Sequence, residues 1–536
     1  MSDGPDAGAA LVVDDRLVAR SEQEHHARVP HASGLPWEAV EAVVARAGLT
    51  LEQVDLVAVA GRFTPPFFLR RHPRLRGLAA DPFSPAHDLR AGWQAVLRGT
   101  GLGSIEADRA AEWLDGALRA RGLGHHRVLM VDIHRALAAA AYRSQPDDAA
   151  LVLTMQPGGD GAAVAVHRGR AGQLDRLRVR TPMPALHTFA ARSASVVGLP
   201  PSADQEALWV LAARGAPDPE LVRAVRVALH RPVPTRTGRR AAPWRQLAQA
   251  DPANAAASIY AALRDVVVQM VSQHLSAHPS ETVAVGGETL DNPRIVADLA
   301  ASTSVGRVAT SPLRGWAALP LGAALSVGGV PPRALSGPQQ HTGPDPEWGR
   351  AALPPGRARP VDAERMAELL HAGRAVGRLS GPPGFSRQGG GTSSVLVRAD
   401  DVTAVADARE ALGRPDLSEP ALLALPGVVS LHDADALAGP FRVGAAAPRV
   451  AVGHTAVRGA LTADGRVGLQ WVDAVTDPGL YAVVSGLARR GGPGAVAVWP
   501  LALGQAPTVE RPTDAVAVLR AGALAGLQVG AWWVEA

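Results

Sequence analysis

Residues 281–325, ETVAVGGETLDNPRIVADLAASTSVGRVATSPLRGWAALPLGAAL, constrain the fold more than any other stretch of the chain. Residues 282–285 form a short apolar run that stops at Gly286-Gly287, the pattern of a buried strand. Residues 293–301 then carry helical spacing, 307–310 read as a short strand, and 321–325 open another helix built of small residues. Strands alternating with helices in this way require an α/β architecture. The glycine pair has two readings. It lets another backbone pack closely, which is the simpler use, or it lets the chain wrap a phosphate. Gly286 and Gly287 are therefore candidate phosphate contacts.

With 536 residues the chain is long enough for two to four domains. It has no cysteine, which excludes disulfides, thiolate metal sites and a cysteine nucleophile. It also has no lysine: all 54 basic residues are arginine. A Schiff base, a Walker-type phosphate lysine and a lysine general base are excluded with it. The formal net charge is only +4, and no arginine-rich block is interleaved with aromatics, so nucleic acid is not an expected partner. No apolar run approaches the ~18 residues of a membrane span, and the first residues carry no basic-then-apolar leader. A cytoplasmic protein without a membrane partner is the expectation.

Along the chain, residues 7–13 and 17–19 predict a hairpin turning at Asp14-Asp15, and 37–47 an amphipathic helix. Three histidines, His25, His26 and His31, fall in one segment. They are a conceivable metal site, though an exposed loop is the simpler reading. Residues 63–90, rich in Pro, Arg and Phe, read as an irregular insertion. A strand over 150–154 leads into Gln156-Pro157-Gly158-Gly159-Asp160-Gly161, where Asp160 suits a tight turn. Residues 328–360 are rich in Pro, Gly, Gln and His and predict a linker, and Asp362 is placed to cap a helix over 362–372.

Taken in order, these segments resemble the O-carbamoyltransferases of nodulation-factor and antibiotic biosynthesis. The matching stretches include Gly286-Gly287-Glu288-Thr289-Leu290-Asp291 for a GGVxLN turn, Leu321-Gly322-Ala323-Ala324-Leu325 for an LGAAL helix, and Asp464-Gly465-Arg466-Val467 for a DGTaR turn. Residues 381–396, GPPGFSRQGGGTSSVL, stand where the family has GrmEfGPRALGnRSIL. The resemblance implies an actin-like domain of two ribonuclease-H-like halves over residues 1–330, a linker over 331–360, and a YrdC-like α/β domain over 361–536. It also implies carbamoyl transfer from carbamoyl phosphate through carbamoyl-adenylate, with ATP and a divalent metal.

The departures fall on the chemistry. Ile133 and Leu137 replace two family histidines beside His134; Gln156 and Trp316 replace two metal-site aspartates. Pro30 and Ala207 stand for lysines, Gln388, Ser393 and Gly468 for arginines, and Val498 and Ala502 for asparagines. The expectation is a degenerate member with no catalytic residues, no tight metal and no cofactor, serving as a structural or regulatory subunit beside an active carbamoyltransferase paralogue. His134 and Asp160 are the residual catalytic candidates. Gly286, Gly287, Asp291, Asn292, Arg387 and Ser394 are the vestigial nucleotide or phosphate positions. The alternatives are a divergent active O-carbamoyltransferase using ATP and a metal, and a nucleotide-sensing module that binds without reacting.

Overall fold

The computed structural model describes residues 1–72, 83, 93–94, 96–124, 126–145, 147–180, 184–200, 205–230, 242–290, 292–303, 305–311, 313–327, 350–354, 356–380, 389–430 and 455–536. It is a mixed α/β protein with two compact units, one comprising Met1–Ala27 and His31–Leu335, the other Arg28–Pro30 and Ser336–Ala536. Most of the insertion at 63–90, most of the expected linker, and Asp291 and Arg387 lie outside the described residues. Arg359–Pro360, expected in the linker, instead pairs as an edge strand of the second unit.

In the first unit, β1 (Gly8–Val13) and β2 (Arg16–Glu22) form the predicted hairpin, turning at Asp14 and Asp15. Strands β3 (Leu56–Ala60) and β4 (Arg127–Val131) pair in parallel. Residues 1–3 join the two pairs. Ser2 exchanges both backbone bonds with Gly8, while Met1 donates to the Ala58 carbonyl and accepts from the Ala60 N–H. The order across this layer is thus β2, β1, residues 1–3, β3, β4.

The second sheet repeats that logic with longer strands. Strands β5 (Ala149–Gly159), β6 (Ala162–Arg170) and β7 (Gln173–Arg180) form an antiparallel meander. Strands β8 (Thr282–Gly286) and β9 (Arg307–Thr310) add in parallel to β5, giving the order β7-β6-β5-β8-β9. The central strands are covered on both faces, which is why they read as continuous apolar runs. Strand β5 runs to Gly159, past the predicted end at 154, because pairing with β6 resumes at Gly159 opposite Ala162.

Between the two sheets in sequence lies helix Ile133–Arg143, all but one of whose residues are buried. It packs on helix Leu319–Val327, and small residues make the approach possible. A Cβ on Gly322 would stand 1.9 Å from the Ala136 carbonyl oxygen, and one on Gly286 would stand 3.2 Å from the Leu137 carbonyl oxygen. Helix Pro252–Ala277 is long and apolar enough to cross a membrane, yet 67% of its most apolar window is buried inside the unit, as in a core helix.

The second unit is an eight-stranded mixed sheet. Its strands are β10 (Arg359–Pro360), β11 (Val376–Leu379), β12 (Ser393–Arg398), β13 (Ala421–Ala424), β14 (Gly468–Trp471), β15 (Ala495–Pro500), β16 (Gly526–Val529) and β17 (Trp532–Glu535), in the order β10-β17-β16-β11-β12-β15-β13-β14. Asp362 caps helix Ala363–His371 as predicted, accepting from Glu364 N and Arg365 N.

The contact at Gly322 fixes the sign of a test. Helix propensity alone would make Gly322→Ala stabilising by about 1 kcal/mol. A methyl driven into the Ala136 carbonyl should instead destabilise by about 1–3 kcal/mol, read as a lower midpoint in urea unfolding.

Candidate functional site

The polar centre of the first unit is the turn at the end of β5. Asp160 sits there at φ +52 and is fully buried. Its carboxylate accepts backbone N–H bonds from Phe63 at 2.8 Å and from Arg62 and Ile133 at 2.9 Å each. It therefore ties together the segment after β3, the start of helix Ile133–Arg143 and its own hairpin. Burial, and then the neighbouring Asp132 charge, push the Asp160 carboxyl up, against these three donors.

Asp132 caps the helix, accepting from His134 N at 3.0 Å and Arg135 N at 3.2 Å. The Arg98 guanidinium bridges the site, donating to the Asp132 carboxylate and to the Asp160 carbonyl. Burial opposes ionisation of Asp132, but Arg98 outweighs it and holds the carboxyl below its usual value. Beneath, Arg70 forms a buried ion pair with Asp3 at 2.7 Å. It also donates to the carbonyls of Pro65 at 2.9 Å and Gly61 at 2.5 Å, so its fork closes the 61–65 turn.

His134 is buried, and both ring nitrogens face partners. Nδ1 is 2.8 Å from Thr154 Oγ1 and Nε2 is 3.2 Å from the Ala162 carbonyl. The carbonyl can only accept, so Nε2 carries the proton and Nδ1 accepts from the threonine. Burial lowers the imidazole's pKa. The ring thus links helix Ile133–Arg143 to β5 and β6 through both nitrogens, and Asp160 links the same helix to the segment after β3.

The remaining sequence candidates separate. Gly287, at φ +96, would drive a Cβ to 2.4 Å from the Met155 carbonyl oxygen, and Gly286 lies against helix Ile133–Arg143, so close packing accounts for both glycines. Asn292 caps helix Pro293–Ser302 through Arg294 N at 2.9 Å. Gln156 and Trp316 meet at Glu288. Gln156 accepts from Glu288 N at 2.8 Å and donates to its carboxylate at 3.3 Å, and the Trp316 indole donates to the same carboxylate at 3.2 Å.

Ser394 lies in the second unit, fully buried, with its Oγ accepting from Gly391 N at 3.1 Å. Beside it Arg378 is nearly buried and grips Asp477 bidentately at 2.8 and 2.9 Å. It also bonds the Gly391 carbonyl and Gln528. Val498 and Ala502, at the two asparagine positions, are fully buried apolar residues. His25 and His26, expected in an exposed loop, lie in helix Gln23–Ala27, with His25 buried.

Sequence reasoning missed Arg98, Arg70, Arg378 and Asp3, since nothing local separates them from the other charged residues. Asp132 was missed as well, although an aspartate directly before a helix is a capping signal. No protein-family model matches the chain, and no curated protein matches it.

Two outcomes follow. Asp160→Asn turns an acceptor into an NH2 group facing amide donors and should cost about 2–3 kcal/mol in denaturant unfolding. His167, on β6, is held neutral by burial, with its pKa lowered to about 4. That contribution to stability is complete above the unfolded value of about 6.5 and is lost as pH falls through about 4. Unfolding midpoints measured from pH 7 to 4 should fall, and His167→Leu should flatten that acid limb.

Proposed function

We propose that this chain is a degenerate homologue of the O-carbamoyltransferases, acting as a non-catalytic structural or regulatory subunit beside an active paralogue. One observation carries the reading. Where the resemblance puts metal and substrate chemistry, Asp160, His134 and Glu288 are bonded to other parts of the fold. Asp160 binds three amides, His134 uses both nitrogens, and Glu288 joins Gln156 to Trp316. A working site keeps such groups turned towards a ligand. In the second unit, Arg378 is taken up by Asp477 and Gly391, and Val498 and Ala502 fill space with apolar volume.

The topology supports the actin-like part of the reading. Both layers of the first unit order an antiparallel meander beside two parallel strands, as expected of paired ribonuclease-H-like halves. A subunit of this kind retains its fold through its core and through a partner interface, without needing a site.

Affinity capture of the chain from its native cell, with mass spectrometry of what co-purifies, should recover a carbamoyltransferase paralogue in stoichiometric amount. Turnover of carbamoyl phosphate and ATP by the purified chain alone would overturn the reading.

A further inference from the structure

We propose that the first unit binds one divalent transition-metal ion of the zinc type between Asp6, Glu24 and His31. The ligand atoms of these three side chains all lie within 4.8 Å of one another. Asp6 Oδ1 is 2.7 Å from His31 Nδ1, and Glu24 Oε2 accepts the His31 backbone N–H at 2.9 Å. Donors around a tetrahedral zinc stand about 2.0–2.2 Å from the ion, hence roughly 3.3–3.6 Å from each other. Opening the 2.7 Å contact by less than about 1 Å would admit the ion.

The surroundings strengthen the case. Glu24 belongs to a second group as well, whose ligand atoms on Glu22, Glu24 and His25 also lie within 4.8 Å of one another. The His25 side chain is only 7% exposed, and its Nε2 lies 3.9 Å from both the Glu22 and Glu24 carboxylates, beyond hydrogen-bond length. Two groups of metal-type ligand atoms thus share Glu24. Arg20 pairs with Glu22 at 2.6 Å. Mixed imidazole and carboxylate donors select a zinc-type ion over magnesium or calcium, which prefer oxygen alone. The His31 side chain is 49% exposed, which gives the ion a way in.

The site is not the histidine trio that the sequence suggests. His26 Nε2 is 2.7 Å from Ser21 Oγ, while Asp6 comes from the turn before β1 and Glu24 from the same short helix as His25 and His26. It is also separate from the positions where the carbamoyltransferase resemblance puts a metal, so it stands or falls independently of the proposed function.

The test uses the untagged full chain, stripped with chelator and dialysed. Zn²⁺ is titrated in by calorimetry, and Co²⁺ by its visible spectrum. The chain has no cysteine, so a thiolate cannot supply the signal. One saturable Zn²⁺ equivalent is expected, weakened at least ~tenfold in His31→Ala and in Asp6→Asn and unchanged in His26→Ala. Because His31 is largely exposed, His31→Ala should keep the wild-type melting temperature without metal, which separates lost binding from lost fold. The proposal is overturned if binding is not saturable, if both ligand variants bind as wild type does, if equimolar Mg²⁺ displaces the Zn²⁺, or if His25→Ala abolishes binding while His31→Ala retains it.

Discussion

The first unit depends on a contact between two backbones. Helix Ile133–Arg143 meets helix Leu319–Val327 at Ala136 and Gly322, where even a methyl would collide with a carbonyl oxygen. Residues of the first helix, from Ala136 to Ala141, are fully or almost fully buried, so it is covered on every side. Facing Gly322 the helix has no room for a large side chain, and its alanines from Ala138 to Ala141 fit the close packing around it. On another side Gly286 brings β8 against the same helix, and at its N-terminus Asp132 and Asp160 tie it to the turns after β3 and β5. The polar cluster therefore sits on the element that the packing holds most rigidly.

This placement explains how a site-like cluster can serve the fold. Buried charges destabilise unless they are paired and hydrogen-bonded. Here they are paired with each other: Arg98 with Asp132, Arg70 with Asp3, and Asp160 with three amides. Removing any one leaves its partner stranded, so the residues are needed for folding whether or not they take part in chemistry. In the second unit Arg378 plays the same part, linking β11 to Asp477 at the start of helix Pro478–Arg489 and to the glycine turn before β12. A charged residue kept at such a place is thus no sign of catalysis.

The strand order of the first unit has a physical consequence for how far it can diverge. Each meander is closed by local hairpins, while β8, β9, β3 and β4 reach their neighbours only through long crossovers. The parallel strands are buried on the faces that matter, and substitutions there must stay apolar and of similar volume. Loops and turns are free of that demand. Polar side chains near strand ends can satisfy one another, as Gln156 and Trp316 do through Glu288.

Much of the architecture was legible in the chain itself. The apolar run before Gly286-Gly287, the hairpin at Asp14-Asp15 and the Asp362 cap appear in the structure because they rest on local rules of periodicity, turn chemistry and capping. Strand ends were less legible. Nothing in Gln156-Pro157-Gly158 announces that β5 continues, since that depends on its register with β6. The clusters were least legible of all. Arg98 and Arg70 reach carboxylates 34 and 67 residues away, and Asp6 meets His31 across 25. Composition and spacing settled the class of fold and the absence of thiol and lysine chemistry, because those depend on which residues exist. Which charges are spent on the fold, and which still gather around an open point, was decided only in three dimensions, because pairing depends on distance and not on sequence separation.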